Sequence, residues 1–338
     1  MAELGRFIDW LTGAGGQGAS RASSARTLRR QSAWCWRVEP VIAGDGVVHD
    51  WLQLDGIYLA GMCCLIAESP DGPVGWQWCD REKQASWAAL LVQLPAPQVV
   101  VCDGQPGLLA AVRTLWPNTK VQRCLVHVRR DVRTDLTLHP KTPAGRGLVK
   151  LAGQLPRVAD AAQAADWLVR LDLWWQAFGE LTSQRTYRTD VGEADVPVWA
   201  KPAQTWWYTH QRLRRAWRLL ERLAKQNDLF RFLQPDLAEL SIPPTSNRIE
   251  GGVNAQLRRL LGHHRGMPPT HQARAVEWWL WLHWANHPAP GTLIRPECFQ
   301  PVKPRTTDTL DGPAGYDTGL STEEGLWARK GWAGRWQQ

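Results

Sequence analysis

The first part of the chain shows the apolar patterns of successive β-strands. Residues 51–55 alternate between apolar and polar side chains, and residues 59–67 are almost all apolar, which is typical of a strand buried on both faces. Ser69-Pro70-Asp71-Gly72 is typical of a tight turn, because Pro fits its second position and Gly its fourth. Residues 74–79 then return as a third strand. The pattern therefore predicts three successive strands within residues 47–79.

Strands and helices alternate from there to about residue 139. Asp80 is a candidate N-cap for a helix over residues 81–94. A strand over 99–103, a helix over 106–116, a strand over 120–125 and a helix from about 127 follow. Hairpin strands followed by βαβ units imply a mixed sheet with helices on its faces. We therefore predict an α/β fold whose first part spans residues 45–139.

Helical spacing of apolar residues dominates the next hundred residues. Trp167, Leu171 and Trp174 share one helical face, and a second helix over about 205–226 carries an apolar stripe flanked by arginines. We therefore predict an all-helical insertion with a basic surface over residues 140–242. The α/β part resumes over residues 243–288, and the Gly, Pro and Asp content beyond predicts an irregular tail over 289–338.

The N-terminal residues 1–44 are predicted as a separate basic segment. Residues 1–12 fit one short helix, and the Gly- and Ser-rich residues 13–24 read as a loop. Residues 21–37 carry closely spaced arginines, which fits a helix lying along a phosphate backbone as well as it fits an ordinary solvated basic face.

Composition and charge narrow the class of protein. The chain has 338 residues, 44% of them apolar and 21% charged, which is typical of a globular protein. Its net charge of +8 favours a polyanionic partner, with nucleic acid first, over a basic protein without such a partner. Seven cysteines without a C-x-x-C pair suit a reducing compartment. With no secretory signal and no apolar run long enough for a membrane, we expect a cytoplasmic protein.

Three acidic residues stand out by their surroundings. Asp55 and Asp103 each precede a glycine at the expected end of an apolar strand, and Glu250 opens a helical stretch rich in arginine. Neighbouring strand ends would bring the two aspartates together, and a pair of carboxylates about 4 Å apart costs about 4 kcal/mol at an effective dielectric constant near 20. Divalent cations remove that repulsion, and Mg²⁺ prefers oxygen ligands. The pattern predicts a two-metal site acting on phosphodiesters, although each acid alone also fits a turn or a helix start.

Other residues near these acids offer further chemistry. Cys124 and His127 form half of a zinc motif, and the pair His263-His264 could supply the other half, although its spacing is poor for one tetrahedral ion. The turn over residues 262–266 fits a basic loop near DNA better. On a regular helix Asn254 and Arg258 would share a face with Glu250, so Arg258 is either a phosphate contact or an ordinary surface arginine.

Four motifs in order resemble the DDE transposases of the Mutator-like superfamily, specifically those of bacterial insertion sequences. They cover about residues 52–287 and are Leu54-Asp55-Gly56-Ile57-Tyr58, Val101-Cys102-Asp103-Gly104, Gln122-Arg123-Cys124-Leu125-Val126-His127, and the run from Ser246 to Arg258. The resemblance implies an RNase H-like mixed-sheet catalytic core interrupted by the helical insertion. It also implies that Asp55, Asp103 and Glu250 hold two Mg²⁺ ions, for which Mn²⁺ can substitute.

The resemblance implies cleavage of DNA at the ends of a mobile element and transfer of the freed 3′-hydroxyl to target DNA. The expected partners are DNA and a second copy of the chain on paired ends, in the bacterial cytoplasm at the nucleoid. The residues expected near DNA are Arg123, Cys124, His127, Asn247, Arg248, Asn254, Arg258, His263, His264 and Arg265.

The N-terminus departs from the family pattern, because related enzymes often begin with a zinc ribbon or a helix-turn-helix module. Residues 1–44 contain a single cysteine and resemble a remnant of DNA-binding helices. Two alternatives therefore stay open. One is a truncated, non-catalytic DNA-binding relic or regulator of transposition, and the other is a related nuclease without strand transfer.

Overall fold

The computed structural model describes residues 2–13, 25–42 and 46–300. The chain divides into two compact units, Met1–Leu293 and Ile294–Gln338. In the described part of the second unit, residues 296–299 form a short 3-10 turn. The strands of the first unit are β1 (Trp51–Leu59), β2 (Met62–Ser69), β3 (Gly72–Cys79), β4 (Val99–Cys102), β5 (Lys120–Arg123), β6 (Arg185–Tyr187) and β7 (Trp206–Tyr208). Its α-helices are α1 (Ala2–Thr12), α2 (Ala25–Gln31), α3 (Gln84–Leu91), α4 (Pro106–Leu115), α5 (Leu125–Leu136), α6 (Pro143–Gln154), α7 (Ala161–Phe178), α8 (Gln211–Lys225), α9 (Ala255–His263) and α10 (Pro269–Leu282).

Five of the strands form one mixed sheet in the order β3-β2-β1-β4-β5. The first three strands are an antiparallel meander, whereas β1, β4 and β5 run parallel to one another. The tight turn expected at residues 69–72 joins β2 to β3, and the Ser69 hydroxyl accepts a hydrogen bond from the Asp71 amide at 3.2 Å. The predicted α/β class with a mixed sheet is confirmed.

Asp55 lies inside its strand and not at its end. The parallel ladder between β1 and β4 stops at the pair Leu54 and Cys102, but β1 remains paired with β2 as far as Leu59. The expectation of a strand end at Asp55 was therefore wrong, because the antiparallel neighbour continues where the parallel one stops. Asp55 and Asp103 both come directly after the last pair of the parallel ladder, so the two aspartates occupy neighbouring positions at one edge of the sheet.

The two faces of the sheet have different neighbours. Because side chains alternate along a strand, Leu52 and Leu54 face one side, where they join a core with the fully buried Trp87 of α3 and residues of α4. Trp51 faces the other side and packs with residues that precede Glu250, among them Ile242. Asp55 belongs to the same set of alternating positions as Trp51. The aspartate therefore faces the segment that carries the glutamate.

The helices that follow β5 build a second apolar core. Buried side chains from α5 to α8 form one cluster, in which Trp217 stacks between Trp174 and Trp175 at ring distances of 5.0 and 4.8 Å. The prediction that residues 140–242 are entirely helical is wrong in one place, because β6 and β7 form a two-stranded antiparallel sheet. Aromatic side chains such as those of residues 206–208 favour strands. The helix expected from residue 205 begins instead at Gln211.

Two further local expectations need correction, whereas the helix expected over residues 1–12 is confirmed as α1. Asp80 forms an ion pair with Lys83 at 2.7 Å and does not cap a helix, since α3 begins only at Gln84. The single helix expected over residues 21–37 is divided into α2 and a 3-10 turn over residues 33–37, and residues 21–24 lie outside the described part. The loop expected over residues 13–24 also lies outside it from residue 14 onward. Among the described residues, no helix has the length and apolar character needed to cross a membrane.

Candidate active site

Asp103 is held by the turn that follows β4. The backbone amide of Gln105 donates a hydrogen bond to its Oδ1 at 2.9 Å, and the Gln105 side chain caps α4 by accepting from the Leu108 amide at 2.7 Å. The guanidinium of Arg123 donates to the Asp103 carbonyl and lies where a Cβ of residue 104 would stand, 1.9 Å from its Cζ. Gly104 has a φ of +88°, so glycine fits this position both sterically and conformationally. The turn that follows β4 therefore fixes the orientation of the Asp103 carboxylate.

Glu250 reaches the site on a turn of π-helix over residues 248–254. The fully buried side chain of Gln53 in β1 fixes this turn, because its oxygen accepts from the Ile249 amide at 3.0 Å and its nitrogen donates to the Thr245 carbonyl at 3.0 Å. The Ser246 hydroxyl donates to Oε1 of Glu250. A π-helical turn replaces the regular helix expected here, and such turns are frequent at functional sites. The glutamate is thereby attached to the same strand as Asp55.

The carboxylates act on one another electrostatically. Burial and the nearby charges of Asp103 and Glu250 raise the pKa of Asp55 to about 7 from an ordinary value of 3.8. The Asn254 side-chain amide donates to Oδ2 of Asp55 at 2.6 Å, which holds the carboxylate in place. Carboxylates in such a cluster repel one another, and a bound divalent cation relieves that repulsion.

A fourth carboxylate, that of Glu82, belongs to this cluster. Burial and the charge of Asp103 raise its pKa, and Glu82 in turn contributes to the raised pKa of Asp55. Its carboxyl carbon lies 2.6 Å from the place where a side chain of Gly56 would begin. Sequence reasoning missed Glu82, because it lies in the connection between β3 and α3 and belongs to none of the recognised motifs.

Cys124 and His127 lie beside the glutamate. One ligand atom from each of Cys124, His127 and Glu250 lies within 4.8 Å of the others, and His127 Nδ1 is 3.4 Å from Glu250 Oε1. Burial acts to raise the pKa of the Cys124 thiol, but hydrogen bonds with His127 and Ser246 outweigh it and the pKa is lowered. The hydrogen bond with Cys124 raises the pKa of His127. The hydrogen bond between Cys124 and His127 therefore favours the charged form of each group next to Glu250.

Comparison with known proteins identifies the relatives of this chain. Residues 62–184 match the family described as "Transposase, Mutator family". Over these residues the chain is similar to the Mutator-family transposases. It is 27% identical over 238 residues to a probable insertion-sequence transposase of Corynebacterium diphtheriae, a match that covers 68% of this chain and 57% of that protein. The resemblance predicted from the four motifs is confirmed.

Two further transposases for insertion sequence elements match shorter parts of the chain. The one from Mycolicibacterium smegmatis is 31% identical over 148 residues, which is 38% of this chain and 46% of that protein. The one from Lactococcus lactis is 32% identical over 102 residues, which is 25% of this chain and 26% of that protein. This chain therefore spans from about a quarter to a little over half of the length of these relatives. Of the three predicted acids, the Mutator-family match includes Asp103 but not Asp55 or Glu250.

Three of the residues expected near DNA are buried. Arg123, Cys124 and Asn254 have exposed fractions of 3%, 0% and 3%. Arg123 donates to the Asp103 carbonyl, Asn254 donates to the Asp55 carboxylate, and Cys124 accepts from the amide of Ser246, which in turn bonds to Glu250 through its hydroxyl. Their side chains hold the site together and do not form a surface for DNA. Any role in a Mutator-family reaction would therefore be to position the acids.

The other residues expected near DNA divide into anchored and open ones. Arg248 donates to Glu68 at 3.0 Å and to the Pro70 carbonyl, which ties the π-helical turn to β2. His264 bonds to the Leu11 carbonyl at 2.8 Å and packs on a tryptophan of α1. The exposed residues for which the described part of the chain shows no such anchor are Asn247, Arg258, His263 and Arg265. Their contact with DNA stays a prediction.

Two donor sets in the site suit different metals. The carboxylates of Asp55, Asp103 and Glu250 would offer oxygen ligands of the kind that Mg²⁺ prefers, but among the described residues the group whose ligand atoms lie close together is Cys124, His127 and Glu250. Cys124 and His127 add sulfur and nitrogen, which suit softer ions such as Zn²⁺. Within the described residues, the pair His263-His264 is not part of any group that could hold a metal ion. The zinc site considered from the sequence, with these histidines as its second half, therefore finds no support.

Proposed function

We propose that the protein is a Mg²⁺-dependent DDE transposase that cleaves DNA at the ends of an insertion sequence and transfers the freed 3′-hydroxyl to target DNA. The observation that carries this is the environment of Asp55, where burial and the nearby charges of Asp103 and Glu250 raise the pKa of its carboxyl group to about 7. A buried carboxylate with two further acids near it favours a counter-charge, and a pair of Mg²⁺ ions would supply it together with the chemistry of phosphodiester cleavage. The match to insertion-sequence transposases supports DNA as the substrate.

Neighbouring residues would hold the three acids in the positions that this reaction requires. Asp55, Asp103 and Glu250 would bind the metal ions, which when bound would activate the attacking oxygen and stabilise the leaving one. Asn254 orients Asp55. The Gln105 amide orients Asp103, and the Ser246 hydroxyl orients Glu250. The reaction needs no covalent intermediate with the protein.

We further propose that the five-stranded sheet belongs to an RNase H-like core over residues 45–139 and 243–288. The helical segment 140–242 would be an insertion between the two parts. Its apolar core, which it shares with α5 and which is distinct from the core on the sheet, supports this division, and so does the attachment of residues 245–249 to β1 through Gln53. The assembly on paired DNA ends would be a homodimer. The tail expected over residues 289–338 lies outside the described part of the chain from residue 301 onward.

The test is cleavage of a plasmid that carries this gene with its native flanks, in Mg²⁺ or Mn²⁺. Wild type is compared with Glu250→Gln and Asp103→Asn. Breaks at discrete flanking positions that both variants lose, while DNA binding is retained, would support the proposal. DNA that is bound but left uncut by all three proteins would instead favour a non-catalytic regulator, and cleavage without joined products would favour a nuclease.

A further inference from the structure

One face of α8 concentrates positive charge on the outside of the helical segment. The helix buries an apolar stripe that includes Leu213, Trp217 and Leu220. Its opposite face carries the α8 arginine stripe, which we define as Arg215, Arg218 and Arg222, all exposed. These positions recur at intervals of three and four residues, so the three side chains lie in one row about 10 Å long.

Most of the cations on α8 have partners within the protein. Arg212 donates to the backbone carbonyls of residues 134 and 135, and Arg214 donates to the Thr182 carbonyl at 2.8 Å. Arg215 forms an ion pair with Asp135 at 2.7 Å. The last cation of the helix, Lys225, pairs with Glu221 at 2.8 Å. These four cations are therefore at least partly neutralised or used as anchors.

Arg218 and Arg222 differ from them. Neither guanidinium group makes a hydrogen bond or an ion pair with any part of the chain that the structure describes, although the charge of Arg222 counteracts some of the rise that burial causes in the pKa of Asp228. Like charges four residues apart on a helix repel each other. An external polyanion bound across the two guanidinium groups would remove that repulsion.

Aromatic side chains continue this surface beyond the helix. The stripe lines a groove of about 520 Å³ together with Tyr208 and Gln211. The same Tyr208 and Gln211 also line a second groove of about 340 Å³ on the β6–β7 hairpin, with Trp199, which is 52% exposed, and Trp206. Trp206 and Tyr208 are half-buried and each lies against an arginine, Arg185 and Arg214 respectively, whereas the ring of Trp199 is open to solvent. Arginines are typical of phosphate-binding surfaces, because the guanidinium group can bind a phosphate with two hydrogen bonds.

The packing of α8 relates this surface to the acids. Helix α5 carries His127 in its first turn, beside Glu250, and Asp135 in its last turn, beside Arg215. Eight residues of helix separate those two positions by about 12 Å. Beyond the far end of α8, the Asp228 carbonyl accepts from the Arg123 amide at 2.7 Å, next to the start of α5. Helices α5 and α8 are therefore antiparallel, so the Arg222 end of the stripe lies toward the start of α5, where His127 contacts Glu250.

We propose that the α8 arginine stripe and the adjoining aromatic hairpin bind the phosphate backbone of duplex DNA next to the cleavage site. This rests on the proposed function, because the DNA concerned is the substrate of that reaction. The contacts are to phosphates, so they position the duplex and do not read its sequence. Arg218 and Arg222 carry the binding, and Arg215 contributes while it also anchors α8 to α5.

The test compares Arg218→Gln/Arg222→Gln with the control Lys150→Gln/Arg157→Gln in the full chain. The control removes two exposed cations of the same helical segment, so both variants change the net charge equally. Fluorescence anisotropy with a labelled duplex of about 30 base pairs and arbitrary sequence gives Kd at several salt concentrations. We expect the stripe variant to weaken binding at least about tenfold near 100 mM salt and to reduce the slope of log Kd against log salt by about two. The control should keep the wild-type slope.

The outcomes separate this inference from the proposed function. If wild type binds with a steep salt dependence and the stripe variant matches the control, the stripe does not bind DNA, while the proposed function stands. If wild type itself shows no salt-dependent binding, both are overturned. The variant Arg218→Lys/Arg222→Lys keeps the charge and should keep most of the affinity, whereas loss of affinity equal to that of the glutamine variant would contradict a phosphate contact. Circular dichroism establishes that each variant is folded before binding is compared.

Discussion

The side-chain amide of Asn254 donates a hydrogen bond to Oδ2 of Asp55 at 2.6 Å, which joins the π-helical turn directly to β1. Asn254 is buried, and within the described residues its own Oδ1 has no hydrogen-bond partner. The amide can therefore orient the carboxylate without neutralising it. Groups that orient metal ligands in this way typically contribute 10- to 100-fold to metal affinity or activity, as an order of magnitude.

We predict that Asn254→Ala lowers the rate of Mg²⁺-dependent cleavage by roughly 10- to 100-fold while DNA affinity changes little. A Mg²⁺ titration of the cleavage rate should show that more metal is required for half-maximal activity. Gln256→Ala, which removes an exposed amide two residues further along, is the matched control and should behave as wild type. Equal effects of the two substitutions would show that the contact with Asp55 is irrelevant.

The raised pKa of Asp55 predicts how stability depends on pH in the absence of metal. Its carboxyl group titrates near 3.8 when unfolded and near 7 when folded. Between these values the folded state binds more protons than the unfolded state, so stability falls as pH rises from about 4 to about 7. The contribution of Asp55 to the free energy of unfolding is complete below the pKa of the unfolded state. It is fully lost above the pKa of the folded state.

We predict that Asp55→Asn is more stable than wild type by roughly 1–3 kcal/mol at about pH 8 in EDTA. The asparagine keeps an oxygen for the hydrogen bond from Asn254 and removes the buried charge. Near pH 4 the two proteins should be almost equally stable, because the carboxyl group is protonated there. Urea unfolding at both pH values measures the difference. A constant difference across pH would mean that Asp55 does not titrate in this range.

The sequence allowed the fold class and the pairing of two acids to be predicted because both depend on local signals. Val99 to Cys102 is a buried strand followed by an acid and a glycine, and parallel strands place such acids at one edge of a sheet. The position of Glu82 beside Asp55 has no local signal in the sequence. Glu82 fits there only because residue 56 is a glycine and leaves the space free. The π-helical turn was also not predictable. The spacing of apolar residues predicts a regular α-helix, and only the tertiary contact with Gln53 stabilises the π-helical turn. The roles of the three acids stay predictions.

Gln53 offers a way to separate stability from positioning of the glutamate. Its side chain satisfies the Ile249 amide and the Thr245 carbonyl, and it is fully buried. We predict that Gln53→Leu lowers the free energy of unfolding by about 2–4 kcal/mol, because two backbone groups lose their partner away from water. Cleavage by the remaining folded protein should also fall, since the segment that carries Glu250 is no longer fixed to β1. Urea unfolding and the cleavage rate per folded molecule measure the two effects.

The control for this prediction is Gln122→Leu. Gln122 is also fully buried in the sheet and donates to the Leu229 carbonyl at 2.9 Å, but among the described residues its side chain makes no hydrogen bond to the segment that carries Glu250. We expect a similar loss of stability with cleavage per folded molecule largely retained. If Gln53→Leu were to leave that rate unchanged, Gln53 would be a structural residue only and its contact with Ile249 would not position the catalytic segment.

Glu250 belongs to both donor sets of the site, and this predicts inhibition by zinc. A softer metal ion bound by the Cys124 thiolate, His127 and Glu250 would take the glutamate away from a Mg²⁺ site. We predict that Zn²⁺ inhibits Mg²⁺-dependent cleavage and that Cys124→Ser raises the inhibitory Zn²⁺ concentration at least about tenfold, because a hydroxyl is a much poorer zinc ligand than a thiolate. Cys79→Ser, which changes a partly exposed cysteine outside this group, controls for other zinc binding. Equal sensitivity of wild type and Cys124→Ser would show that zinc acts elsewhere and that Cys124 serves only to hold His127 and the Ser246 amide.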